Sequence, residues 1–208
     1  MRICSVQAAI LFLLIAGSCL AQVSEPDESL TARARQEYAA GEFANAERDF
    51  RELTKRDPSN IQAQVYLGQA LFRQGRYAES VVPYEKALEL ERNGNKLTPD
   101  QHRILVDQLA MAYGIGGDLK KSRALLERAI RDDPEYPLNY YNLACVYAEE
   151  GNKHEVLANL SLAFQHKGYV LPGEQLPDPR ADSSFQKYVR DEDFIKLMAK
   201  LGYKRTGP

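Results

Sequence analysis

Ala70-Leu71-Phe72-Arg73-Gln74-Gly75-Arg76-Tyr77-Ala78-Glu79-Ser80 joins two helix-like runs through one glycine, and the arrangement recurs along the chain. Gly41, Gly75, Gly117 and Gly151 each end one run and precede another, at spacings of 34, 42 and 34 residues. Glycine suits a helix end because it takes up the left-handed backbone of a C-terminal cap without a Cβ clash. A period of 34 residues is that of a two-helix solenoid unit, which buries its apolar side only by stacking on its neighbours. The apolar places of the second unit agree: Leu67, Leu71 and Phe72, then Tyr77, Val81, Tyr84 and Leu88, follow helical periodicity.

Working outward, the first unit is expected over 27–60, with helices at 29–40 and 42–56. Asp57-Pro58 stops the second of these, since a residue before proline avoids helical angles. Arg33 and Glu37 stand where later units are apolar, as suits a terminal unit with no preceding neighbour. The second unit spans 61–92 and carries Pro83 inside its second helix, which should kink there. A loop at 93–98 breaks the period. Thr98-Pro99-Asp100-Gln101 then has a threonine cap, proline at the first helical position and glutamine three places on from the cap, a strong helix start. It lengthens the next helix to 99–115. The third and fourth units are placed at 103–136 and 137–168, so the array covers 29–168 after a short polar linker at 22–28. From Tyr169 the pattern stops. A proline-rich loop leads to two short helices at 184–190 and 192–201, the second capped by Asp191 and ended by Gly202. Their apolar side suits a cover for the open end of the array.

Aligned on their glycines, the four units resemble tetratricopeptide repeats. The place where that family carries a small residue on the first helix holds Ala34, Gly68, Ala110 and Ala144. The aromatic or leucine place on the second holds Phe50, Tyr84, Leu126 and Leu160. The small place near its end holds Leu53, Ala87, Ala129 and Ala163. Small residues let the paired helices approach, and large ones fill the gap beside them. Lys153, Val156 and Gly168 depart from the pattern in the fourth unit. The resemblance implies an all-α, right-handed α-solenoid of about four helix pairs with a C-terminal helical cap. It also implies a concave groove lined by the first helices. The residues it places there for a partner are Arg35 and Tyr38; Val65, Gln69, Phe72 and Arg73; Asp107, Met111 and Ile115; and Tyr141, Asn142 and Glu149. Asn142 is expected to hold a peptide backbone through its amide. The clamp that some of these proteins use on chaperone tails needs Lys, Asn and Arg at set places. Thr31, Arg35, Tyr66, Ile104 and Gln108 stand there instead, so that use is not expected.

Residues 1–21 read as a signal peptide: Arg2, an apolar run at 8–16 too short to span a bilayer, then small residues up to Ala21. Cleavage after Ala21 leaves Gln22 first. Ala16-Gly17-Ser18-Cys19 offers the alternative of a lipid anchor at Cys19, though alanine opens that motif less well than leucine. The chain is expected to be exported, periplasmic or secreted, or else a lipoprotein at the cell envelope, with no membrane span. A net charge of −2 gives no basic field for nucleic acid. His102, His154 and His166 lack metal-ligand spacing, and Cys145 has no partner motif. No phosphate loop or nucleophile elbow occurs, so neither a cofactor, a metal nor catalysis is expected. The expected function is a non-enzymatic adaptor that binds a protein or peptide in its groove; the alternative is a lipid-anchored assembly factor for an envelope complex.

Overall fold

A computed structural model describes residues 26–94 and 96–203. The leader expected over 1–21, with both its cleavage alternatives, lies outside the described residues. The elements are helical throughout: α1 (Asp27–Ala39), α2 (Phe43–Arg56), α3 (Ile61–Arg73), α4 (Tyr77–Arg92), α5 (Pro99–Ile115), α6 (Leu119–Asp132), α7 (Pro137–Glu149), α8 (Lys153–Gln165) and α9 (Glu192–Lys200), with short 3-10 helices at Lys167–Tyr169 and Ser183–Tyr188.

The four repeat glycines do the work their spacing suggests. Gly41, Gly75, Gly117 and Gly151 adopt φ of 81°, 74°, 87° and 77°. Each donates to a carbonyl three residues back, and the residue after it donates to one five back, as Arg76 does to Leu71. This double return satisfies carbonyls that the helix end would otherwise strand. At the start of α5, Thr98 accepts from the Gln101 backbone while the Gln101 side chain accepts from Thr98 N–H, closing a capping box. That start gives α5 17 residues where α3 and α7 have 13. The 42-residue spacing is therefore a loop plus an extra turn of helix. The helix α4 continues through the buried Pro83 from Tyr77 to Arg92.

Helices pack in sequence order, each against the next, into a stack of hairpins. Phe50 and Leu53 of α2 close on Leu67 and Leu71 of α3; Tyr84 and Ala87 of α4 close on Leu105 and Leu109 of α5. Leu126 of α6 meets Leu143 and Val146 of α7. Arg33 does not simply face water: its Nε donates to Asp49 of α2.

The tail covers the far end. Phe185, Tyr188, Phe194 and Met198 share one core with Tyr141, Ala144, Val156 and Leu160 of α7 and α8. Lys153 Nζ donates to Asp191 and to Asp193, at 2.9 Å each, which ties the start of α9 to the start of α8. The first tail helix differs from expectation. It is a 3-10 helix at Ser183–Tyr188, begun by Asp182, whose carboxylate accepts from Ser184 N–H at 2.9 Å. So short a run, hemmed between two capping aspartates, closes i→i+3 bonds instead of a full α-turn.

Candidate protein-binding groove

Besides meeting its own hairpin partner, α3 touches α5, and α5 touches α7. The first helices therefore crowd on the inner side of the stack while the second helices splay outward. On that inner side Met111 and Ile115, one turn apart on α5, are 38% and 55% exposed. Two large apolar side chains left bare next to one another make this the candidate contact surface.

They lie at a cleft of about 740 Å³ between α5, α7 and the tail. Met111, Gly114 and Ile115 form one wall and Leu138, Tyr141, Cys145 and Glu149 the other, while Pro177 and 182–184 close a third side. Tyr141 is only 2% exposed. Its hydroxyl donates to Asp182 Oδ2 at 2.9 Å, and Phe185 stands edge-on to its ring at 5.7 Å. Expected to greet a partner, Tyr141 instead holds the tail in place. Asn142 is likewise engaged: its amide donates to Asp107 Oδ1. Both residues line the cleft, and each commits one donor within the protein: the Tyr141 hydroxyl to the tail and the Asn142 amide to α5.

Burial governs the chemistry here. The Asp107 carboxyl is raised to about 6, chiefly by loss of water around it, with the Glu174 charge adding to the effect and the Asn142 hydrogen bond opposing it. The Cys145 thiol is pushed up to about 12 by burial and then by Asp182. A thiol so raised stays protonated and is a poor nucleophile. Asp107, Asp182 and Glu149 all line the cleft, and no Lys, Arg or His lines it among the described residues.

The N-terminal end has the opposite character. The Arg35 guanidinium lies 5.4 Å from the Tyr66 ring centre and that of Arg73 4.7 Å from Phe43. Both arginines are exposed, and Tyr38 stands edge-on to Phe43 and Tyr66. Gln69 is half-buried. Phe72 is half-buried edge-on to Tyr77, packed into the core around Tyr84. Val65 does not line the groove: it is buried with Tyr84 and Leu105, because α3 is sandwiched between α4 and α5 at that height. What the repeat places could not reveal is the tail's share of the cleft. The apolar side of the tail, which suits a cover for the open end of the array, was the one hint of it.

A family model described as tetratricopeptide repeat matches residues 31–96. Over that stretch the chain carries tetratricopeptide repeats. Solved structures extend the likeness from these two repeats to the whole array. The crystal structure of MamA protein superposes with a TM-score of 0.63 at 19% identity, covering 88% of this chain and 97% of that one. MamA from Desulfovibrio magneticus RS-1 gives 0.63 at 18%, covering 87% and 97%. YrrB, described as a tetratricopeptide-repeat protein with an unusual peptide-binding site, gives 0.60 at 17%, covering 85% and 84%. No curated protein sequence matches. At these identities the likeness establishes a tetratricopeptide-repeat solenoid, a fold that generally mediates protein–protein interaction. Among the described residues, no helix is long and apolar enough to cross a membrane.

Proposed function

We propose that this repeat protein is a non-enzymatic adaptor that captures a protein or peptide segment on its concave face, with the cleft between α5, α7 and the tail as the principal seat. The observation that carries this reading is the bare pair Met111 and Ile115 at the mouth of that cleft. A solenoid whose groove is preformed also spends little ordering entropy on binding. YrrB, as a repeat protein with a peptide-binding site, supports a peptide as the class of ligand. Phe72, being part of the core, is a poor probe; exposed residues are better.

A photocrosslinking side chain placed at Met111 or at Ile115 is expected to capture partner protein in intact cells, while one at Val82, 68% exposed on the outer helix α4, is not. Ile115→Glu should reduce capture about tenfold or more, the order of one buried apolar contact replaced by a charge, with an unchanged melting temperature. Adducts from position 82 alone would move the interaction to the outer face.

The leader-like segment at 1–21 supports an exported setting for this adaptor. Intact-mass measurement of the mature N-terminus distinguishes its two forms: an unmodified chain starting at Gln22 is expected, and an acylated Cys19 would instead favour the anchored assembly factor.

A further inference from the structure

We infer that the cleft between α5, α7 and the tail selects a peptide segment carrying a lysine or arginine beside an apolar side chain, with Asp107 as the group that receives the cation. This rests on the adaptor reading above and specifies the ligand of the same site.

The cleft offers two chemistries side by side. Met111, Ile115 and Leu138 give an apolar surface. Asp107, Asp182 and Glu149 give carboxylates, uncompensated by any lining Lys, Arg or His among the described residues. The two buried-side carboxylates differ in what they have left to give. Asp182 spends one oxygen on the Tyr141 hydroxyl and the other on Ser184 N–H. Asp107 accepts from Asn142 through Oδ1, and its Oδ2 has no hydrogen-bond partner among the described residues. A carboxylate that has lost much of its water and keeps an open oxygen gains from a cation more than an exposed one does. An acidic segment would meet only like charge. A volume of about 740 Å³ lies within the range of about 300–1,000 Å³ of pockets that enclose a compact ligand. Because the cleft opens onto the bare face of α5, it suits a side chain or two of a longer peptide.

Proton linkage gives the inference a signature. The groups facing Asp107 are Tyr84 on α4, Tyr136 between α6 and α7, Asn142 and Cys145 on α7, and Glu174 of the tail. None of these is a cation. With burial raising the carboxyl to about 6, Asp107 takes up a proton as pH falls through that value. A cationic ligand prefers the ionised form, so affinity is full above about pH 7 and declines as pH drops below 6. The same raised value means that ionised Asp107 opposes folding above pH 6. Asp107→Asn, which keeps the acceptor for Asn142, is therefore expected to leave the melting temperature at pH 7.5 unchanged or higher.

The test uses the full chain and two capped hexapeptides, Ala-Leu-Lys-Leu-Ala-Ala and the same sequence with norleucine for lysine, titrated by calorimetry at pH 7.5 and 5.0. The lysine peptide is expected to bind about tenfold or more tightly than the norleucine peptide at pH 7.5, and to lose about tenfold at pH 5.0, one unit below the titration. Asp107→Asn should abolish both differences. Equal binding of the two peptides, abolished by Ile115→Glu, would overturn the charge selection and leave the adaptor reading standing. Lysine preference that survives Asp107→Asn would overturn the role given to that residue. Binding of neither peptide overturns the inference; the crosslinks at positions 111 and 115 then decide the adaptor reading separately.

Discussion

Phe185→Ala is expected to destabilise the C-terminal end of the array by about 3–5 kcal/mol, the usual loss when a fully enclosed phenylalanine is truncated. Phe185 has no exposed surface. It stands edge-on to Tyr141 of α7 and 6.3 Å from Phe194 of α9, so it joins the tail to the last hairpin. In a solenoid each unit touches only its neighbours, and the damage stays local. Hydrogen exchange should show lost protection in α7, α8 and α9 while α1 to α4 keep theirs. The cleft should fail with it, since the 3-10 helix at Ser183–Tyr188 supplies one side. Peptide capture at positions 111 and 115 is therefore expected to fall in this variant even below its melting temperature. Uniform loss of protection along the chain would show that the tail is not a local cap. An unchanged melting profile would show that it is not a cap at all.

Gly68→Ala is expected to be the most damaging single methyl in the array. A Cβ built at Gly68 meets Tyr84 Cε1 at 2.4 Å and Cδ1 at 2.5 Å. The ring has no room to withdraw: Tyr84 is completely buried, and its hydroxyl donates to Gln108 at 2.8 Å. Overpacking of this kind costs about 1–3 kcal/mol and sometimes more. Against it stands a gain of about 1 kcal/mol from replacing glycine inside a helix. We expect the loss to win, and denaturant titration should show a lower midpoint with an unchanged slope. The companion variant gives the reason. Units three and four pair Ala110 with Leu126 and Ala144 with Leu160 at the same two places, all four buried. Gly68→Ala with Tyr84→Leu copies that pairing, so the double variant should be more stable than the sum of the single losses predicts, with a coupling of about 1 kcal/mol or more. Strict additivity would mean that the contact between Gly68 and Tyr84 is not what sets the choice of glycine.

Both variants also show how far the sequence could be read. The glycines declared four helix ends because a left-handed cap is a local property of the backbone, and Thr98 to Gln101 declared the start of α5 because a capping box spans only four residues. Small and large places marked where helices approach. The departures of Lys153, Val156 and Gly168 did not prevent a fourth hairpin, since Val156 is buried in the same core as Leu160 and Ala163. The groove was less legible. Repeat places put Val65 on the inner face, yet it is enclosed between hairpins. They put Tyr141 there too, and it is present, but under the tail.

Sequence by itself thus determined the period, the four glycine-ended helices, the start of α5 and the all-helical class of the described residues, all of which rest on propensities and caps acting within a few residues. Only the tertiary structure decided which groove residues remain open, because that depends on contacts such as Tyr141 with Asp182, 41 residues apart. It also decided the character of the site. The repeat places put Asp107 in the groove; its raised carboxyl, its single open oxygen and the absence of a lining cation among the described residues follow from the way α4, α5, α7 and the tail assemble around it, which is a property of the folded chain alone.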